Sequence, residues 1–177
     1  MRRSLLPALA LALALAGCSG DNGKDSVGQA SPTPSITPAP TASGCPTGAP
    51  TTDLTKKPVV VMPDAAAPPA TTTSTDVVVG KGAEAMNGSA VAVKYVGVLF
   101  DSCQEFDSSW KTSPQQTLPF TVGGGVIPGF SKGVTGMHVG GRRQVVIPAS
   151  EGYGPGGSGP IPPNATLIFV IDLVSVS

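Results

Sequence analysis

The stretch Val126-Ile127-Pro128-Gly129-Phe130 decides the fold, because a strand-rich sequence turns there into a single short helix. The three glycines at 123–125 free the backbone before it, and Pro128 fixes φ near the value that a first helical turn needs. Two apolar side chains precede the turn and one aromatic side chain follows it. We therefore expect Val126, Ile127 and Phe130 together, as the floor of a small pocket.

The sequence on both sides of this stretch is typical of short strands. Residues 90–100 alternate, with Val91, Val93 and Tyr95 on one face and Lys94 and Val96 on the other. Such alternation indicates an antiparallel strand with one buried and one half-solvated face. Further strands are predicted at 77–79, 106–109, 118–122, 142–147 and 166–176, with the helix at 129–135. The sum is an α+β fold, a curved antiparallel sheet with one short helix.

Composition excludes one large class of partners. The 177 residues carry a formal net charge of +0, and only 12% of them are charged. Nucleic-acid binding relies on a basic surface, so it is not expected here. The 23 glycines and 19 prolines are clustered, which indicates a tether next to a turn-rich domain.

The first residues have the form of a targeting segment. Arg2 and Arg3 precede an apolar run at 5–16, which is too short for a permanent membrane helix. The run ends in Leu15-Ala16-Gly17-Cys18, which resembles a bacterial lipobox. This resemblance implies that residues 1–17 are a signal peptide and that Cys18 is lipidated. The alternative is a chance match inside an ordinary signal peptide. A lipidated chain would be anchored to the cell membrane on its extracytoplasmic face.

The chain between the lipobox and the domain divides into two parts. Residues 18–57 are rich in Gly, Ser, Thr and Pro and predict a flexible linker that holds the domain clear of the membrane. Residues 58–75 form an N-terminal extension, in which Val59-Val60-Val61-Met62 is a candidate short strand. The folded domain is expected at 76–177.

Two cysteines remain once Cys18 is assigned to the lipid. An exported protein folds where disulfides form, so one interpretation pairs Cys45 with Cys103. The other interpretation leaves two unpaired thiols, one of them in the linker.

Several catalytic motifs are present only in part. Gly129-Phe130-Ser131-Lys132-Gly133 matches the G-x-S-x-G pattern of serine hydrolases, but the only histidine is His138, with no acid between it and Ser131. One histidine and scattered carboxylates do not make a metal site. The glycines at 123–125 lack the βαβ context of a dinucleotide site. Neither a metal nor a cofactor is therefore expected.

Four segments, in this order, resemble the FKBP family of peptidyl-prolyl cis-trans isomerases. They are Val93-Lys94-Tyr95-Val96-Gly97-Val98-Leu99, Phe106-Asp107-Ser108-Ser109, Gly125-Val126-Ile127-Pro128-Gly129-Phe130, and the tail at 139–173 with its Gly152-Tyr153-Gly154 and Ile161-Pro162-Pro163-Asn164. The resemblance covers about residues 76–177. It implies a half-barrel of antiparallel strands wrapped around the helix, with an apolar pocket between them.

The resemblance also assigns site residues by position. The catalytic group is Tyr95, Phe106, Asp107, Tyr153 and Phe169, and the substrate-binding group is Val126, Ile127, Phe130 and Ile161. In this scheme Val126, Ile127 and Phe130 seat a proline ring. The Tyr153 hydroxyl and the Ile127 backbone N–H hold carbonyl groups, and Asp107 polarises an aromatic wall. Core packing is the competing interpretation for Phe169, Val126 and Tyr95. A carboxylate among aromatic rings is costly unless it is paired or functional, so Asp107 is harder to dismiss.

The function implied by the resemblance is isomerisation of X–Pro bonds in exported polypeptides by a lipid-anchored monomer. The resemblance further implies competitive inhibition by macrolides of the tacrolimus and rapamycin type. Two other classes stay open at this point. One is a non-catalytic chaperone or adaptor that binds proline-containing segments, and the other is a purely structural envelope lipoprotein.

Overall fold

The computed structural model describes residues 46, 48, 50–63, 67–111 and 116–177. The predicted signal peptide, the lipidation site Cys18 and the cysteine Cys45 lie outside the described residues. The elements, in chain order, are β1 (Thr73–Val78), β2 (Ala90–Leu99), β3 (Glu105–Ser108), β4 (Leu118–Thr121), α1 (Pro128–Val134), β5 (Arg142–Ile147), two 3-10 turns (Ala149–Glu151 and Gly154–Gly156) and β6 (Leu167–Val176).

The strands form one antiparallel sheet in the order β1-β5-β6-β2-β3. The long central strands β2 and β6 pair from Val91 opposite Val176 to Leu99 opposite Leu167, with an irregularity at Ala92. The other edge of β2 is shared, because β4 pairs with its first half and β3 with its second half. The prediction of an α+β fold with a curved antiparallel sheet is confirmed.

Helix α1 begins at Pro128, one residue before the predicted start, with Ile127 extended at φ −59° and ψ 145°. It packs close to β5, because a Cβ on Gly133 would lie 2.7 Å from the γ-methyl groups of Val145. The helix therefore buries Phe130 and Val134 against the inner face of the sheet. The buried inner core consists of Val91, Val93, Phe130, Val134, Val145, Ile147, Leu167, Phe169, Ile171 and Leu173, with smaller neighbours.

Part of the outer face of the sheet is covered by other residues of the chain. Val96, Val98, Ile168 and Val170 are buried there, and Val60 packs onto them with 6% of its surface exposed. The prediction of a half-solvated outer face therefore holds for Ala92 and Lys94 of β2, which are partly exposed, and is wrong for Val96 and Val98, which are buried. It failed there because the covering segment, 50–63, is poor in the periodic patterns that predict packing.

The candidate strand at Val59-Val60-Val61-Met62 is also wrong, since these residues are described as irregular backbone. Instead of joining a ladder, the Val61 N–H donates to the side-chain Oε1 of Gln144 at 3.3 Å. The sheet itself begins at Thr73 in β1, three positions before the predicted domain start at residue 76.

A buried arginine explains why this segment docks. Arg142 is fully buried and forms an ion pair with Asp172, with Nε 2.5 Å from Oδ1. Its other N–H groups donate to the backbone carbonyls of Thr51, Asp53 and Lys56 at 2.7–3.1 Å. The predicted linker, 18–57, is thus corrected at its end, because its last residues are bonded to the domain. Composition missed this because carbonyls, not apolar side chains, form the contact.

One further contact, an ion pair, holds the start of the domain to β3. Lys57 Nζ lies 2.6 Å from Oε2 of Glu105, and Cys103, just before β3, is disulfide-bonded. Because Cys45 is not among the described residues, its pairing with Cys103 stays a prediction. Within the described part of the chain, no helix is both long and apolar enough to cross a membrane.

Candidate active site

A cavity of about 170 Å³ opens beside the start of helix α1. Strands β2, β3 and β6 supply one side of it, and the loop after β5 supplies Tyr153. Its lining is mostly apolar and aromatic, which is typical of small ligand-binding sites. The lining residues are Tyr95, Phe106, Asp107, Leu118, Gly125, Val126, Ile127, Phe130, Tyr153 and Phe169.

The floor of the cavity is a set of aromatic rings packed edge to face. Phe130 and Phe169 are 3% and 4% exposed, and their ring centroids lie 5.1 Å apart at an interplanar angle of 86°. Phe106 meets Phe169 at 5.5 Å and 85°, and Tyr95 meets Phe130 at 5.8 Å and 85°. Edge-to-face contacts are the preferred geometry of aromatic pairs, so the rings hold one another in place.

The carboxylate of Asp107 lies at the rim and is paired. It accepts a hydrogen bond from the Tyr95 hydroxyl, and its Oδ1 accepts another from the Ser108 N–H at 2.8 Å. Burial, followed by the hydrogen bond to Asp107, raises the pKa of Tyr95 above its ordinary value of 10.0. Tyr95 therefore keeps its proton and holds the Asp107 carboxylate at the rim of the cavity.

Two polar groups at the cavity have no protein partner in the part of the chain that the structure describes. One is the Ile127 N–H, at the start of α1, and the other is the Tyr153 hydroxyl. The Ile127 carbonyl, by contrast, accepts bonds from Phe130 and Ser131 at 3.0 and 3.3 Å. The helix start thus leaves the N–H of one cavity-lining residue unbonded, while the carbonyl of the same residue takes part in the helix.

Ser131, within the G-x-S-x-G match, has a structural partner. Its Oγ accepts a hydrogen bond from the Gly123 N–H at 2.6 Å, and Ser131 itself is 7% exposed. The His138 ring is hydrogen-bonded to a different residue, with its Nδ1 3.0 Å from the Gly82 carbonyl oxygen. Ser131 therefore ties the glycine loop to the helix, which fixes the position of Val126 and Ile127.

The structure brings together all of the predicted catalytic and substrate-binding residues except one. Ile161 is 6% exposed and belongs to the inner core cluster, and it is not among the residues that line the cavity. Leu118 and Gly125 do line it, although neither was predicted as a site residue. In the sequence, Gly125 could be suspected only because it precedes Val126, and Leu118 only because it lies in the predicted strand that became β4.

Gly97 is a further residue whose importance the sequence did not reveal. A Cβ at this position in β2 would lie 2.7 Å from Phe106 Cζ and 2.7 Å from Phe169 Cε1. Both rings occupy the space that any side chain at 97 would need. The glycine is therefore what lets two aromatic walls reach the surface of the sheet.

The cavity therefore lies between a small antiparallel sheet and one short helix, and aromatic rings form its floor. A family model described as FKBP-type peptidyl-prolyl cis-trans isomerase matches residues 81–174. The chain belongs to this family and is a peptidyl-prolyl cis-trans isomerase.

Individual relatives agree with the family match. The chain is 48% identical over 101 residues to a probable FK506-binding protein of Corynebacterium glutamicum, which covers 57% of this chain and 83% of that protein. Among solved structures, it is similar to FkpA from Escherichia coli, at 37% identity and a TM-score of 0.54, over 60% of this chain and 48% of that one. A prolyl isomerase from Pseudomonas syringae matches at 33% identity and a TM-score of 0.52, over 60% and 75% of the two chains.

Proposed function

We propose that the aromatic cavity binds a proline ring and accelerates rotation about the preceding amide bond without forming any covalent bond. The observation that supports this most directly is the cavity floor of Phe130 and Phe169, flanked by Val126 and Ile127. A volume of about 170 Å³ suits a small ring, since an apolar cavity of about 150 Å³ in another protein accepts benzene.

The chemistry explains why an apolar site suffices. Planar amides resist rotation with a barrier of about 18–20 kcal/mol because rotation breaks their resonance. The twisted amide loses the resonance dipole, so an apolar, preshaped cavity favours it over the planar forms. Each tenfold acceleration requires about 1.4 kcal/mol of this preference.

Polar groups at the rim then fix the substrate. The Ile127 N–H and the Tyr153 hydroxyl donate to carbonyl oxygens on the two sides of the proline. Tyr95 and Phe106 flank the rotating amide, and the Asp107 carboxylate, held by Tyr95, polarises this wall. A substrate carbonyl that leaves the amide plane can be held by a donor that the planar form does not meet.

The site also suits macrolide ligands of the tacrolimus and rapamycin type, which would compete with proline peptides. The name of the Corynebacterium relative, an FK506-binding protein, supports this extension to the present chain.

For the whole protein, we place the isomerase outside the cytoplasmic membrane. The Leu15-Ala16-Gly17-Cys18 motif supports lipidation of Cys18, and residues 19 to about 50 supply a tether. The clients would be proline-containing exported polypeptides. Mass spectrometry of the membrane fraction tests the anchor, because a Cys18→Ala variant should lose the acyl chains and leave the membrane. Retention of that variant in the membrane would overturn the anchor.

The catalytic proposal is tested with a short proline peptide followed by exchange NMR. The wild-type protein should accelerate cis-trans exchange, and tacrolimus should abolish the acceleration. Binding of the peptide without acceleration would instead favour the non-catalytic chaperone or adaptor.

A further inference from the structure

Glu151 joins three separate parts of the chain, although it lies outside the cavity. Its Oε2 accepts a hydrogen bond from the Thr72 hydroxyl at 2.6 Å, and its Oε1 lies 2.9 Å from Lys132 Nζ. Its side chain is 16% exposed, whereas the Lys132 side chain is 61% exposed. The carboxylate thus links the residue before β1, helix α1 and the 3-10 turn Ala149–Glu151.

Thr72 itself lies against the beginning of the helix. A Cβ on Gly129 would be 2.6 Å from Thr72 Oγ1 and 2.3 Å from Ile147 Cγ2. Gly129 directly precedes Phe130, which forms the cavity floor. The Thr72–Glu151 bond therefore lies beside the same turn of helix that carries the cavity floor. Thr72 lies before residues 81–174, which the family model matches.

Glu151 is also close in sequence to Tyr153, in the loop after β5. Glu151 and Gly152 are bonded locally, through their N–H groups, to the carbonyls of Pro148 and Ala149 at 3.0 Å. Two residues after Glu151, Tyr153 is 40% exposed, and the described residues offer its hydroxyl no hydrogen bond. The position of this hydroxyl over the cavity therefore depends on how its loop is held.

We infer that Glu151 is a positioning residue for the isomerase reaction, which holds the Tyr153 loop in register with the helix turn that carries Phe130. This role rests on the proposed functions of Tyr153 and Phe130. Thr72 and Lys132 are its two partners, and thus Thr72, the residue before β1, contributes to the geometry of the site.

The test compares Glu151→Gln, Thr72→Val and Thr72→Ser in the full-length protein. Glu151→Gln removes the charge that pairs with Lys132, and Thr72→Val removes the hydroxyl. Both should lower kcat/KM for a proline peptide by roughly three- to tenfold, as expected when reacting groups shift slightly. Thr72→Ser keeps the hydroxyl and should retain the wild-type value.

The matched control is Asp76→Asn, which breaks the partly exposed ion pair between Asp76 and Arg143 near the same edge of the sheet. It should change the thermal midpoint about as much as Glu151→Gln but leave kcat/KM unchanged. Equal kcat/KM for Glu151→Gln and Asp76→Asn would overturn the positioning role.

A double variant separates this inference from the proposed function. If Glu151 acts through Tyr153, adding Glu151→Gln to Tyr153→Phe should cause little further loss, because the hydroxyl is already absent. Multiplicative losses would contradict it. A wild-type protein without isomerase activity would overturn the proposed function itself. If the wild-type protein is active and Glu151→Gln has the same kcat/KM, only the positioning role is overturned.

Discussion

At the scale of single residues, the absence of a side chain at 97 shapes the site as much as any aromatic ring does. Phe106 and Phe169 both lie within 2.7 Å of where a Cβ would stand. The sequence places Gly97 on the inner face of a regular strand, but no local pattern shows that two rings from distant strands converge on it. Only the paired register of β2 with β3 and β6 brings them there.

We expect Gly97→Ala to displace both rings, to lower kcat/KM by tenfold or more, and to cost about 1–3 kcal/mol of stability through overpacking. Proline-peptide isomerisation and urea unfolding measure the two effects. Gly124→Ala is the control, since a Cβ there would meet open space. Equal activity of the two variants would show that the ring positions do not depend on Gly97.

Tyr95 gives a second prediction at this scale. Its pKa is raised by burial and by its bond to Asp107, so the native protein should hold the Tyr95 proton well above pH 10. The unfolded chain releases it near the ordinary value of 10.0, so stability should fall as pH rises past 10. Below pH 10 both states keep the proton, and Tyr95 causes no pH dependence.

Phenolate absorbance measures this directly, because the chain has only two tyrosines. Near pH 10, the native wild type and the native Tyr95→Phe variant should have the same phenolate absorbance. In urea at the same pH, the wild type should have the higher phenolate absorbance. A native difference at pH 10 would mean that Tyr95 is solvated and not paired with Asp107.

At the scale of elements, the segment 50–63 behaves as part of the domain. Its backbone carbonyls accept hydrogen bonds from Arg142, and Lys57 forms an ion pair with Glu105. Val60 packs on the outer face of the sheet. Val60 is 6% exposed, whereas its neighbour Val59 is 43% exposed. This difference provides a matched pair of substitutions.

Val60→Asp should release the segment and cost about 2 kcal/mol, the usual contribution of a buried valine side chain. Val59→Asp should stay within about 0.5 kcal/mol of wild type. The only tryptophan, Trp110, packs on the same outer cluster, so its fluorescence should shift to longer wavelength in Val60→Asp alone. Unchanged fluorescence in Val60→Asp would contradict docking of the segment.

The strands and the helix were largely predictable, and the segment was not. Alternation of apolar side chains predicted β2 and β6, and Pro128 after three glycines predicted α1 to within one residue. The attachment of the segment 50–63 escaped prediction in large part because three of its backbone carbonyls bind a buried arginine. Such a contact requires the burial of Arg142 beside Asp172, and a sequence does not show which charged residues are buried.

At the scale of the whole molecule, the two faces of the sheet bind different parts of the chain. The inner face and α1 hold the cavity, and the outer face binds the chain that leads toward the proposed lipid anchor. The family resemblance predicted the cavity lining apart from Leu118 and Gly125, and Ile161 lies in the core instead. Assigning residues by their position in a family motif does not show which buried residues face a cavity and which face one another.

The isomerase activity of Phe130→Leu tests the role of the cavity floor most directly. Val134→Ala, in the same helix and buried but away from the cavity, controls for lost stability. With both variants shown to be folded, Phe130→Leu should lose at least about tenfold in kcat/KM for a proline peptide, which corresponds to about 1.4 kcal/mol. Val134→Ala should retain the wild-type value. A Phe130→Leu protein that isomerises the peptide at the wild-type rate would contradict the assignment of this cavity as the proline site.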